Sequence, residues 1–282
     1  MWECQDLGEA KEFLRMRIQR KGKKILLDQT DYLIKVVERF GMSNARRANT
    51  PLTGGYVPVE SDSKCSDSFR TTYQLIIGSL LYIMLGTCPD ITYAVTKLAQ
   101  FSTNLSMEKA KNICRYLNST ANYALVFDGS SGDGIIAYTD SDWASDPIKC
   151  RSVTGYFFKL ANGIFSWQSW AQKTVALSST EAEHMALSDC SRQAVWIQSL
   201  LGELGYAIQT VPICGDNQGS IFIGSNPIQS DIHQQNRKTQ RQRKMVDLKL
   251  YHQLRTTLTL NLTKTTQSSP YFKQLGEQEK NP

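Results

Sequence analysis

Paired cysteines are missing from this sequence. Its seven cysteines, Cys4, Cys65, Cys88, Cys114, Cys150, Cys190 and Cys214, stand far apart, with no CxxC pair and no Cys/His cluster. That pattern argues against a zinc site and against a secreted disulfide scaffold, and fits free thiols in a reducing compartment. Long hydrophobic runs are missing too. The longest, residues 75–85, is broken by Gly78 and Ser79 and is shorter than the roughly 20 residues a membrane-spanning helix needs, so no membrane span is expected. The opening residues, MWECQDLGEAKEF, are charged from the third position and lack the basic-then-apolar layout of a secretory leader. They read like the middle of a domain. What is present is 282 residues, 41% hydrophobic and 21% charged, enough apolar material for one or two ordinary domains and too much for wholesale disorder. Lys+Arg 32 against Asp+Glu 26 leaves a formal charge of +6, which suits a polyanionic partner without requiring one.

Residues 14–28 carry Arg15, Arg17, Arg20, Lys21, Lys23 and Lys24 around Gly22, the layout of a hairpin turn between two short strands. The turn reads as a solvated loop ahead of a phosphate contact. Thr30 and Asp31 then stand where they would cap a helix whose Leu33, Val36, Val37 and Phe40 share one face, with Gly41 to end it. Residues 50–68 are rich in Ser, Asp, Gly and Pro and read as a linker. Helical spacing returns over 73–85, again from Asp90 through Phe101, and over 108–117.

From residue 135 the texture is β, with strands predicted at 135–139, 154–160 and 164–167. Ser178 to Glu181, and equally Thr180 to Glu183, match a capping box, and Ala182, Ala186, Cys190, Ala194, Ile197, Leu201 and Leu204 recur at three- and four-residue steps. A long helix is predicted from about Thr180 to about Gly205. A short strand over 211–214 runs into Gly215-Asp216-Asn217, and another helix begins at Gln218. The predicted order is β-β-β-α-β-α. Residues 229–244 hold Arg237, Lys238, Arg241, Arg243 and Lys244 with no apolar period to anchor them; a last strand is predicted at 246–250 and a weak, threonine-rich helix at 256–264.

The acidic residues placed where these elements meet are Asp140, closing the first strand, Glu183 in the first turn of the long helix, and Asp216 after the fourth strand. Three carboxylates from three elements suit hard divalent ions, because Mg²⁺ prefers oxygen ligands and keeps waters and phosphates in its other positions. As residue types alone, Asp140 and Asp216 serve equally as turn residues or caps, and Glu183 as a first-turn acid favoured by the helix dipole.

YTDSDWASD (138–146), RSVTGYFF (151–158), SWQSWAQKTVALSSTEAEHMALSD (166–189), AVWIQSLLGELG (194–205), ICGDNQGSIFI (213–223) and NPI (226–228) closely resemble the ribonuclease H segment of copia-type retrotransposon Pol polyproteins. DLGEAKEFL (6–14), the stretch 40–52, residues 73–101 and ICRYLNST (113–120) are similar to the end of the reverse transcriptase and the connection after it. The resemblance implies an α/β protein with a ribonuclease H-like five-stranded mixed sheet and flanking helices over 133–265, degenerate after 228. Before it would lie a partly helical reverse-transcriptase remnant over 1–53 and a linker with a helical connection over 54–132, and after it a polar tail over 266–282.

The implied activity is cleavage of the RNA strand of an RNA–DNA hybrid by two Mg²⁺ ions, with Mn²⁺ as substitute, one ion activating water and the other stabilising the leaving oxygen. Matched by motif, Asp140, Glu183 and Asp216 are the implied catalytic and metal-binding residues, and Ser179, Thr180 and Asn217 the implied contacts to sugar hydroxyls and phosphates. Ser179 and Thr180 read equally as helix caps and Asn217 as a turn residue. Asp142 is expected past its strand in a turn, and Glu181 about 200° around the helix from Glu183, so neither is expected to share the metals. His184 is expected as a surface variant, and Trp143, Trp167, Trp170 and Trp196 as core or rim packing.

The other implied partner is the upstream polymerase portion of Pol. Its paired metal-binding aspartates would stand before residue 1, so no polymerisation is expected from this chain alone. The implied location is the cytoplasm, with the nucleus open through the 237–244 cluster. Two departures point to impaired catalysis. A His-rich segment of the family is replaced after Ile228 by QSDIHQQNRKTQRQRK, and Leu260 stands where the family's LADIFTK has an aspartate. Losing that carboxylate would weaken metal affinity. An active nuclease, a catalytically dead relic and a nucleic-acid-binding module without nuclease activity are thus the readings to separate.

Overall fold

The computed structural model describes residues 8–225, apart from 54, 55, 57–65, 101–105, 131, 133, 147, 207 and 209. They fall into two compact units, one from residues up to 133 together with 160–170, the other from 134–159 together with residues from 171.

The first unit has a sheet of β1 (Glu12–Phe13), β2 (Met16–Lys21), β3 (Lys24–Asp28) and β4 (Leu125–Asp128), antiparallel and in that order. The basic hairpin is β2–β3, with Gly22 at φ 61° in its turn. In α1 (Thr30–Arg39), Leu33, Val36 and Val37 are buried, as their spacing predicts. Its N-terminus is closed differently: Asp28 Oδ1 accepts the Thr30 N–H at 3.2 Å and the Thr30 hydroxyl at 2.8 Å, while Arg17 pairs with the same carboxylate at 2.9 Å. Neither Thr30 nor Asp31 is the cap.

Next comes α2 (Asp67–Gly86), which starts inside the interval read as a linker because Ser66 Oγ accepts the Phe69 N–H. A 3-10 turn at Pro89–Ile91 leads into α3 (Thr92–Ala99), followed by α4 (Met107–Ser119). Asp90 does not cap α3; its carboxylate accepts the Tyr116 hydroxyl at 2.6 Å. Leu33 and Val36 of α1 join Leu80 and Ile83 of α2, Val95 of α3 and Ile113 of α4 in one core.

The second half of the chain keeps the predicted order: β5 (Ile136–Asp142), β6 (Val153–Leu160), β7 (Gly163–Ala171), α5 (Ser179–Glu203), β8 (Ile213–Cys214) and α6 (Gln218–Ser225). The sheet order is β7-β6-β5-β8, with β5 antiparallel to β6 and parallel to β8. The sheet is mixed, as the resemblance implies, with four strands among the described residues where five are implied. The strand predicted at 246–250, the helix at 256–264, the basic cluster at 237–244 and Leu260 lie outside the described residues.

One expectation is corrected here. Asp142 is not past the strand but its last residue, paired with Val153. Ser178 Oγ accepts the Glu181 N–H at 3.2 Å and so caps α5, while Glu181 Oε2 reaches past the cap to accept the Leu177 N–H at 3.0 Å; Gly205 follows the helix end at φ 85°. Among the described residues no helix is long and apolar enough to cross a membrane.

Candidate metal centre

Two features of the second unit bring three acids together. The buried face of α5 is built from Ala182, Ala186, Cys190 and Ala194 at four-residue steps, and such small side chains let the helix lie close on β5, against which it packs. Glu183, one residue along from Ala182, is carried in with it and is only 8% exposed. The second feature is register. β8 runs parallel to β5 with Ala137 opposite Ile213 and Tyr138 opposite Cys214; continued two residues onward, that register sets Asp216 beside Asp140.

One carboxylate oxygen from each of Asp140, Glu183 and Asp216 lies within 4.8 Å of the other two. The Ser141 backbone N–H donates to Asp140 Oδ1 at 2.8 Å and to Glu183 Oε1 at 3.2 Å, so a single donor is shared by two of the acids. None of the three pairs with a lysine or arginine among the described residues. The electrostatics follow. Burial, then the charges of Asp140 and Asp216, push the Glu183 carboxyl up to about 8. Burial and the charge of Asp216 also raise Asp140, against the Ser141 N–H, which lowers it. Crowded carboxylates without a cationic side chain must hold a proton or bind a cation, and three hard oxygen donors fit a divalent metal ion.

The implied substrate contacts are placed less uniformly. Asn217 Oδ1 accepts the Ser220 N–H at 2.8 Å and so caps α6, leaving its amide N–H groups as donors. Ser179 is exposed at the first position of α5, whose cap is Ser178. Thr180 packs against α6: a Cβ built on Gly219 would stand 3.0 Å from Thr180 Cγ2.

Asp142 and Glu181 stay outside the cluster of three, although the charge of Asp142 helps raise Asp140. His184 is half-buried rather than on the surface. Trp143 is about half exposed, its indole N–H donating to the Ala176 oxygen at 3.2 Å. One participant escapes sequence reasoning, Ser141, which acts through its backbone N–H, a group no side-chain pattern marks.

No family model matches the chain. It is 37% identical over 237 residues to the retrovirus-related Pol polyprotein from transposon TNT 1-94 of Nicotiana tabacum, covering 80% of this chain and 18% of that protein. To the corresponding polyprotein from transposon RE1 of Arabidopsis thaliana it is 34% identical over 233 residues, 80% of this chain and 16% of the relative. The chain therefore spans less than a fifth of these relatives. A secreted RxLR effector protein 161 of Plasmopara viticola is 43% identical over 128 residues, 44% of this chain and 90% of that protein. Among solved structures, LC11-RNase H1 isolated from compost covers 51% of this chain and 91% of its own at 13% identity, TM-score 0.32. A foamy viral protease-reverse transcriptase in complex with RNA/DNA hybrid covers 72% of this chain and 27% of its own at 12% identity, TM-score 0.37.

Proposed function

We propose, from the similarity of 80% of the chain to retrovirus-related Pol polyproteins from transposons, that its second unit hydrolyses the RNA strand of RNA–DNA hybrids, with Asp140, Glu183 and Asp216 holding two divalent ions, Mg²⁺ or in its place Mn²⁺. The observation that carries this reading is the meeting of three carboxylates from β5, α5 and the end of β8 within 4.8 Å. Bound divalent ions supply Lewis-acid stabilisation of charge developing on phosphate oxygens. The chain's own part is to fix the ligands. The Ser141 N–H orients Asp140 and Glu183 together, and the raised Glu183 carboxyl gives up its proton when a cation takes its place. The Asn217 amide and the Ser179 and Thr180 hydroxyls are proposed donors to sugar 2′-hydroxyls and phosphates, a shape-based mode natural for an A-like duplex. The proposed partners are the hybrid and the upstream polymerase portion of Pol.

Catalysis is proposed to be impaired, because Leu260 stands at the place of a fourth carboxylate in the family pattern. That departure also favours the second reading, a relic that binds nucleic acid without cutting it. The deciding experiment is cleavage of a labelled RNA–DNA hybrid by the full chain in Mg²⁺ and then Mn²⁺, beside Asp140→Asn and Leu260→Asp. Weak cleavage that vanishes in Asp140→Asn and rises in Leu260→Asp is expected. Salt-sensitive binding with no cleavage in the unmodified chain or in Leu260→Asp would leave only the relic reading.

A further inference from the structure

Gln172 is buried, 3% exposed, although it belongs to neither β7 nor α5. Its Nε2 lies 2.9 Å from the Ala182 carbonyl oxygen, 3.1 Å from Thr154 Oγ1 and 3.3 Å from Ser141 Oγ. The Ala182 contact fixes which way the amide points, since a carbonyl only accepts and would repel the glutamine oxygen after a flip. The Gln172 backbone N–H donates to the Ser152 oxygen at 2.7 Å, so the residue is anchored at both ends. One side chain thus ties together β5, β6 and the first turn of α5, through Ser141 next to Asp140 and Ala182 next to Glu183. Its Oε1 is buried with no hydrogen-bond partner among the described residues. A buried amide oxygen without a donor opposes folding, so packing alone would favour an apolar side chain of similar volume here; local rules are broken in this way chiefly at functional sites.

We infer that Gln172 is a positioning residue that holds the Asp140 strand end and the Glu183 helix turn at the separation where their carboxylates meet, and, resting on the metal-site reading above, that this separation sets the affinity for divalent ions. The Ser141 amide reports the separation directly, because its proton is shared by the two carboxylates.

The test uses the full chain with Gln172→Leu, which keeps the volume and removes the donors, and with Ile197→Ala, a core truncation farther along α5. Hydrogen exchange of the Ser141 amide is read by NMR without metal, and Mn²⁺ binding by electron paramagnetic resonance with the metal alone. Gln172→Leu is expected to speed Ser141 exchange by about tenfold relative to the protected core and to weaken Mn²⁺ binding by about 10- to 100-fold. Ile197→Ala is expected to lower the melting temperature while leaving both readouts within about twofold, as distant sites behave independently. Unchanged Ser141 exchange in a folded Gln172→Leu chain overturns the assignment, and so do equal losses in Ile197→Ala, which would mark a general loss of stability. If Gln172→Leu does not fold, Thr154→Val removes one acceptor without a change of shape; a smaller shift in the same direction supports the role and no shift overturns it. Ser141 exchange that depends on Gln172 in a chain that neither binds Mn²⁺ nor cuts hybrid keeps the positioning role and removes the metal-site reading.

Discussion

At the scale of single residues, the crowded acids make stability depend on pH in a direction opposite to that of a salt-bridged carboxylate. The Glu183 carboxyl ordinarily titrates at 4.5 and is pushed up to about 8 in the fold, by burial first and then by Asp140 and Asp216. The folded state therefore holds the proton more tightly than the unfolded one, so this stabilisation is full below 4.5 and is lost as pH rises through about 8. Thermal melts of the full chain in chelator are expected to fall over that window, and Glu183→Gln to flatten them; a wild-type profile already flat there would refute the coupling. Asp28 has the reverse sign. Burial raises it, but hydrogen bonds from Arg17 and Thr30 outweigh that and hold it below 3.8, so its contribution is present above 3.8 and fades as the solution is made more acid. Asp140, Glu183 and Asp216 were legible in the sequence because motif and element order place them at one end of a sheet. Ser141 and Gln172 were not, since a backbone N–H and a buried amide acquire their roles only from residues far off in the chain.

Elements were legible in proportion to how locally they are determined. α1 and α5 carry their own apolar periods and end signals, and both form within a residue or two of their predicted limits. β1 and β4 do not: one has two residues, and the other gains its ladder only by pairing with β3 from across the helical region. The same distinction separates two mutations. Ser178→Ala removes a local cap from the helix that carries Glu183, and is expected to cost about 1 kcal/mol, a fall of about 2–4 °C in the melting midpoint for a chain of this size. Gly163→Ala is a long-range offence: its Cβ would stand 2.5 Å from Phe127 Cδ1 and 2.7 Å from the Val126 carbonyl oxygen, and the backbone atom has no rotamer to retreat to. That overpacking is expected to cost about 1–3 kcal/mol. Paired denaturant titrations check the order, Gly163→Ala being at least as destabilising as Ser178→Ala; a neutral Gly163→Ala would mean that β4 and the start of β7 separate easily.

At the scale of the whole molecule, a division along the chain differs from a division in space. Residues 160–170 group with the first unit although β7 follows β6 directly. Within that unit the Trp167 indole N–H donates to the Met84 carbonyl oxygen at 3.1 Å, and the Asp128 N–H donates to the Ala161 oxygen at 2.7 Å. Neither partner is close in sequence, so no periodic pattern announces the grouping. It has a practical consequence for any attempt to isolate the acid cluster. A fragment that begins at residue 134 keeps Asp140, Glu183 and Asp216 but deprives Trp167 of its acceptor and Gly163 of the Phe127 ring that covers it. A half-buried indole left without an acceptor forfeits a hydrogen bond, worth about 0.5–1.5 kcal/mol net, and exposed apolar strand surface invites association. The 134–282 fragment is therefore expected to melt below the full chain, with red-shifted tryptophan emission and a tendency to self-associate in sedimentation. Supplying 8–133 in trans is expected to reverse part of each change. Equal melting temperatures for fragment and full chain would show that β7 needs nothing from the first unit, and the acid cluster could then be studied by itself.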